Sequence, residues 1–122
     1  AFTGEIVREL GDAVWRARDG GIERRRIVVD PGIGFAKTAE QNLVLLGELR
    51  RLLELGYPVL VGPSRKSFLG HVLDEPARER AVGTAAACVL AYGEGARIFR
   101  VHDVKPVAQA LAVARATALA AT

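Results

Sequence analysis

An α/β fold built on a parallel sheet is predicted by two observations. Short β-branched runs recur at residues 27–29, 59–61 and 98–101, and helical stretches precede, separate and follow them in the order αβαβαβα. Such alternation is the signature of right-handed βαβ crossovers, in which each helix packs back on the strands it connects. No linker, repeat or low-complexity tract interrupts the 122 residues, so one domain is expected. A closed (β/α)8 barrel takes eight strands and about 250 residues. The chain is therefore either a small open sheet or part of something larger.

The first helix is expected from Phe2 to Ala17, where Ile6, Leu10, Val14 and Ala17 recur at helical spacing. Thr3 is available as its cap and Gly20-Gly21 as its stop. Ile27, Val28 and Val29 then form a buried strand that ends at Asp30-Pro31-Gly32, where proline cannot donate to a ladder. Thr38 and Gln41 have capping-box spacing, and Leu43, Leu46, Leu49, Leu52 and Leu53 make the apolar face of a second helix that stops at Gly56. Val59, Leu60 and Val61 repeat the strand pattern up to Gly62-Pro63. A third helix is expected from Ala77 to Tyr92, rich in small residues suited to close packing. A third strand holds Ile98, Phe99 and Val101, and a final helix is marked by Val107, Leu111 and Ala114.

Half of the residues are apolar and a quarter charged, which fits a soluble globular protein rather than a disordered one. The net charge of +3 rests mostly on arginine, since the only lysines are Lys37, Lys66 and Lys105. That excess argues weakly for anionic ligands. The dense run Arg24 to Arg26 has no aromatic neighbours and precedes a strand, so no nucleic-acid partner is expected. Cys88 is the sole cysteine; it excludes an internal disulfide and suits a reduced, cytoplasmic setting. No apolar run is long enough to span a bilayer, and no signal peptide is evident. There is no methionine, so the chain is expected to be a fragment.

Each strand ends in groups able to bind a ligand, and parallel strands bring those ends to one face. Asp30 is either a carboxylate capping the Asp-Pro-Gly bend or one that binds a flat ligand through paired N–H donors. Gly32 and Gly34 free the backbone after it, and Phe35 either packs under the loop or offers its ring to a planar substrate. Ser64-Arg65-Lys66-Ser67 follows a Gly-Pro exit. Its Arg65 and Lys66 are either an exposed basic pair or, with free backbone N–H groups, a site for a carboxylate or phosphate. Arg100 and His102 are one residue apart, so on an extended strand they share a side and would converge on an anion; a buried arginine there would need one. His71, Trp15 and Tyr57 carry no expected role, the last two reading as packing at helix edges.

The segments VVDPGIGFAKT (Val28 to Thr38), VGPSRKSFLG (Val61 to Gly70) and FRVHDV (Phe99 to Val104) resemble, in order, the last three strand segments of dihydropteroate synthases. The resemblance covers nearly the whole chain and implies the C-terminal part of a (β/α)8 TIM barrel, with about three parallel strands and four helices over residues 1–122. It implies a transferase joining a pterin pyrophosphate to p-aminobenzoate in folate synthesis, with release of pyrophosphate. Asp30 and Lys66 would hold the pterin, Phe35 and Ser67 would line the p-aminobenzoate site, and Arg100 and His102 would grip the pyrophosphate. Lys66, Arg100 and His102 are the implied catalytic group. Magnesium is implied through the pyrophosphate and residues outside this chain, and a homodimer through the later helices. Ala36 and Pro63 depart from the family pattern within loops. The family's first strands, its magnesium-binding asparagine and its two mobile loops have no counterpart here. A silent paralogue or a purely structural fragment would keep the same motifs.

Overall fold

The computed structural model describes residues 1–34, 37–63, 72 and 81–122. Helix α1 runs Phe2–Asp19, ending two residues beyond the Ala17 that its apolar spacing marks, and Ala1 occupies the cap position. Thr3 is not the cap. It lies inside the helix, fully buried, and its hydroxyl donates to Glu48 Oε1 at 2.5 Å, so the side chain ties α1 to the next helical segment. Phe2, Ile6, Val7, Leu10 and Val14 pack on the core. Trp15 is 66% exposed rather than packed, because one residue rotates it about 100° from Val14 on the helix.

Three extended segments lie side by side in chain order and run parallel. Val29 forms an isolated bridge with Val59; β1 (Leu60–Val61) pairs with β2 (Ile98–Phe99) in the register Leu60 to Ile98 and Val61 to Phe99. The ladder continues through Val29 N–H to Pro58 O at 2.9 Å, Leu60 N–H to Val29 O at 2.8 Å and Arg100 N–H to Val61 O at 2.9 Å. The expected strands are thus present but shorter. The first is reduced to a bridge at Val29 because Arg24–Arg26 form a 3-10 turn that Ile27 caps by donating its N–H to Arg24 O at 3.2 Å, while Pro31 and Gly32, at φ 72°, stop it on the other side. The third ends at Phe99, so Val101 is not part of it.

The capping box is formed in full: Thr38 Oγ1 accepts from Gln41 N–H and Gln41 Oε1 from Thr38 N–H, each at 3.0 Å. The helix read as continuous from there to Gly56 divides at Glu48. Helix α2 covers Ala39–Gly47, and a 3-10 helix covers Leu49–Leu55 up to Gly56, which caps it at φ 81°. Leucines at 46, 49, 52 and 55 explain the change, since a spacing of three aligns on a 3-10 helix but drifts around an α-helix. Leu46, Leu49 and Leu52 are buried.

Helix α3 (Ala81–Gly93) buries Thr84, Ala87, Cys88 and Ala91, and its small residues allow α4 (Val104–Ala120) to lie close against it. The expected start of α3 at 77–80 lies outside the described residues. Val107 anchors α4. Cys88 is a free, buried thiol, and burial pushes its pKa up to about 11. Among the described residues no helix is long and apolar enough to cross a membrane.

The core lies between the helices and one face of the parallel segments. Val29, Val59 and Val61 are at most 3% exposed on that face. Strand alternation sends Val28, Ile98 and Arg100 to the opposite face, where Val28 is 45% exposed and Ile98 37%.

Candidate functional site

Of the groups named from sequence, Asp30 and Arg100 sit where the parallel segments end. Asp30 follows directly on the Val29 bridge, and its carboxylate does two things with separate oxygens. Oδ1 accepts from Gly32 N–H at 2.8 Å, closing the Asp-Pro-Gly bend, while Oδ2 faces the Arg100 guanidinium at 3.9 Å. The turn role and the ligand role are therefore compatible. An ion pair this long, with the arginine side chain 60% exposed, contributes between about 0 and 1 kcal/mol. With so weak a pair, Asp30 Oδ2 and Arg100 are available to a ligand while Oδ1 keeps the turn.

Arg100 is exposed rather than buried, because it lies on the open face of the sheet. His102 is two residues further on, in a bend and exposed. Arg100 still follows the strand alternation, its N–H donating to Val61 O, but His102 lies in the bend beyond it, so alternation alone does not aim His102 at the same point. Phe35, Lys66 and Ser67, with Ser64, Arg65 and His71, lie outside the described residues.

Two side chains that the motif reading passed over build the loop after Asp30. Asn42, 1% exposed on α2, accepts from Gly34 N–H at 2.8 Å and donates to Thr38 O at 3.0 Å, joining the two limbs of the loop. Lys37 Nζ donates to Gly32 O at 2.8 Å. Burial lowers the Lys37 pKa from its ordinary value, and the charges of Asp30 and Glu9 oppose that shift. Gly32 and Gly34 hold φ of 72° and 92°, conformations that only glycine adopts readily. The signal for Asn42 was present in sequence: a polar residue at helical spacing after a capping threonine, on the side that carries Leu45 and Leu46 inward.

Chemically, a carboxylate with one oxygen facing outward beside a guanidinium offers an acceptor and a forked donor within one small area. A ligand that brings an N–H donor edge and an anionic group near one another fits that pair. Among the described residues no group of three or more His, Cys, Asp or Glu side chains could hold a metal ion.

Residues 2–102 match the model of the pterin binding enzyme family. A dihydropteroate synthase of Synechocystis sp. is 53% identical over 114 residues, which cover 93% of this chain and 39% of that protein. The structure of the Xanthomonas albilineans dihydropteroate synthase in complex with 7,8-dihydropteroate superposes with a TM-score of 0.92 at 42% identity, covering 95% of this chain and 46% of that one. A structure of the same organism's enzyme with 4-aminobenzoic acid matches with a TM-score of 0.92 at 42% identity, covering 95% of this chain and 44% of that one. The chain thus spans less than half the length of these relatives.

Proposed function

The chain belongs to the pterin binding enzyme family, and from that membership we propose that it is the C-terminal portion of a dihydropteroate synthase (β/α)8 barrel. The observation that carries this reading is the placement of Asp30 and Arg100 at one end of the two parallel segments that flank the middle one, 3.9 Å apart on the open face. Asp30 Oδ2 accepts from the N–H edge of a pterin, and Arg100 with His102 takes the pyrophosphate. Lys66 is assigned to the pterin, and Phe35 and Ser67 to p-aminobenzoate.

In the proposed reaction the arylamine nitrogen attacks the pterin methylene carbon, the carbon–oxygen bond breaks, and pyrophosphate leaves with the bonding pair. The attacking nitrogen then loses its proton to solvent. The protein's part is to hold two reactants in line and to meet the charge that grows on the leaving group; Arg100 is built for the second task. Arg100 sets a cation beside Asp30, which does not suit a divalent cation at that carboxylate, so magnesium is proposed with the pyrophosphate and residues outside this chain, and no step is derived through it.

The open face makes the chain a part of a composite site rather than a whole one. A homodimer is proposed through α3 and α4, along the groove lined by Val89, Tyr92, Val113 and Ala114. The free thiol of Cys88 suits a reduced cytoplasm. The test is calorimetric titration of this chain and of the full-length protein with pterin pyrophosphate and magnesium. Binding by the full-length protein alone is expected; binding by neither would favour a catalytically silent paralogue.

A further inference from the structure

Arg100 reaches Asp30 by crossing the middle segment, and the residue it crosses is Gly62. One step beyond the Val61 to Phe99 register puts Gly62 level with Arg100. A Cβ built on Gly62 would stand 2.7 Å from Arg100 Nη2 and 3.1 Å from both Cζ and Nε. The first distance is closer than side-chain carbons approach other atoms and the other two are tight, so an added methyl and the guanidinium in this position cannot share the space. Gly62 is not among the glycines of positive φ, so its backbone could carry a side chain without strain. Space, not conformation, excludes one.

We propose that Gly62 is a positioning residue: its missing side chain leaves the slot in which the Arg100 guanidinium lies across the sheet toward Asp30. The proposal rests on the reading of Arg100 as the anion-binding arm. Because the arginine side chain is 60% exposed, it is the guanidinium that yields to an added methyl and not the buried backbone beneath. The fold tolerates the change while the charge moves. A displacement on the order of 1 Å at a positioned group is enough to degrade binding geometry severely.

The experiment is a double-mutant cycle in the full-length protein, with pyrophosphate and magnesium as the calorimetric probe. Gly62→Ala is expected to weaken pyrophosphate binding about tenfold when Arg100 is present and less than about twofold when Arg100 is already alanine, the scale and non-additivity of one charged contact. Equal losses in both backgrounds, or no loss in the first, would overturn the proposal. If Gly62→Ala does not fold, Gly62→Ala with Arg100→Ala is expected to fold, since the clash is gone; a double variant that also fails means that the backbone itself needs glycine, and the proposal falls. Wild-type protein that does not bind pyrophosphate removes the anion-arm reading and this proposal with it, whereas wild-type binding with additive losses removes this proposal alone.

Discussion

The two faces of the parallel segments both carry apolar side chains but meet different surroundings. On the helix side Val29, Val59 and Val61 are closed over by α1, α2 and the 3-10 helix, and Leu45, Leu49 and Leu52 fill the space between at no more than 1% exposure. On the other side Val28 and Ile98 stay partly in solvent, next to Asp30 and Arg100. The difference shows which face holds the chain together and which is left to bind. Burial on the first face supplies the hydrophobic stabilisation, while the second keeps its charged groups loosely paired and accessible.

The largest expected effect tests the closed face. Leu52→Ala should destabilise the chain by about 3 kcal/mol, from lost transfer energy and the cavity left behind; denaturant unfolding measures it, and a loss below about 1 kcal/mol would mean that the helix side is not the stabilising one. Cys88 sharpens the same point through pH. Its native pKa of about 11 lies above the ordinary value of 9.0, so the native state holds the thiol proton more tightly than the unfolded chain does. Its contribution is complete below pH 9 and lost as pH rises toward 11. Cys88→Ala should flatten that part of the stability profile relative to wild type; parallel profiles would place the thiol in contact with water.

The open face predicts smaller effects on stability and larger ones on binding. Asp30→Asn retains an oxygen for Gly32 N–H but replaces the outward acceptor with a donor. In the full-length protein it should weaken pterin binding by about 1 to 2 kcal/mol and disturb p-aminobenzoate less, both read by titration. Equal loss of the two would mark a folding defect. At the bottom of the scale, Val28→Ser should shift the stability of this chain by no more than about 0.5 kcal/mol, as expected of an exposed position. A penalty like that of Leu52→Ala would erase the distinction between the faces.

Much of the architecture was legible in the residues. The Thr38 to Gln41 capping box, the stop at Gly56 and the parallel order of the three segments follow from local chemistry, and each is where the pattern put it. The break at Glu48 was legible too, in leucines spaced by three, but the larger apolar face concealed it. Thr3 was misread because a hydroxyl near a helix start looks the same whether it caps its own helix or reaches Glu48, 45 residues away. Asn42 was passed over for the opposite reason: its two partners, Gly34 and Thr38, become neighbours only when the loop has closed on α2.

The sequence by itself determined the alternation of helices and strands, the strand-end location of Asp30 and Arg100, and the family to which the segments conform. These depend on periodicity, turn chemistry and residue type, all of which are local. Only the tertiary structure decided which face of each strand is covered, that Asp30 divides its two oxygens between the turn and Arg100, and that Gly62 leaves room for the arginine to cross. Those outcomes join residues tens of positions apart, and their separation in space is set by packing that no short stretch of sequence contains.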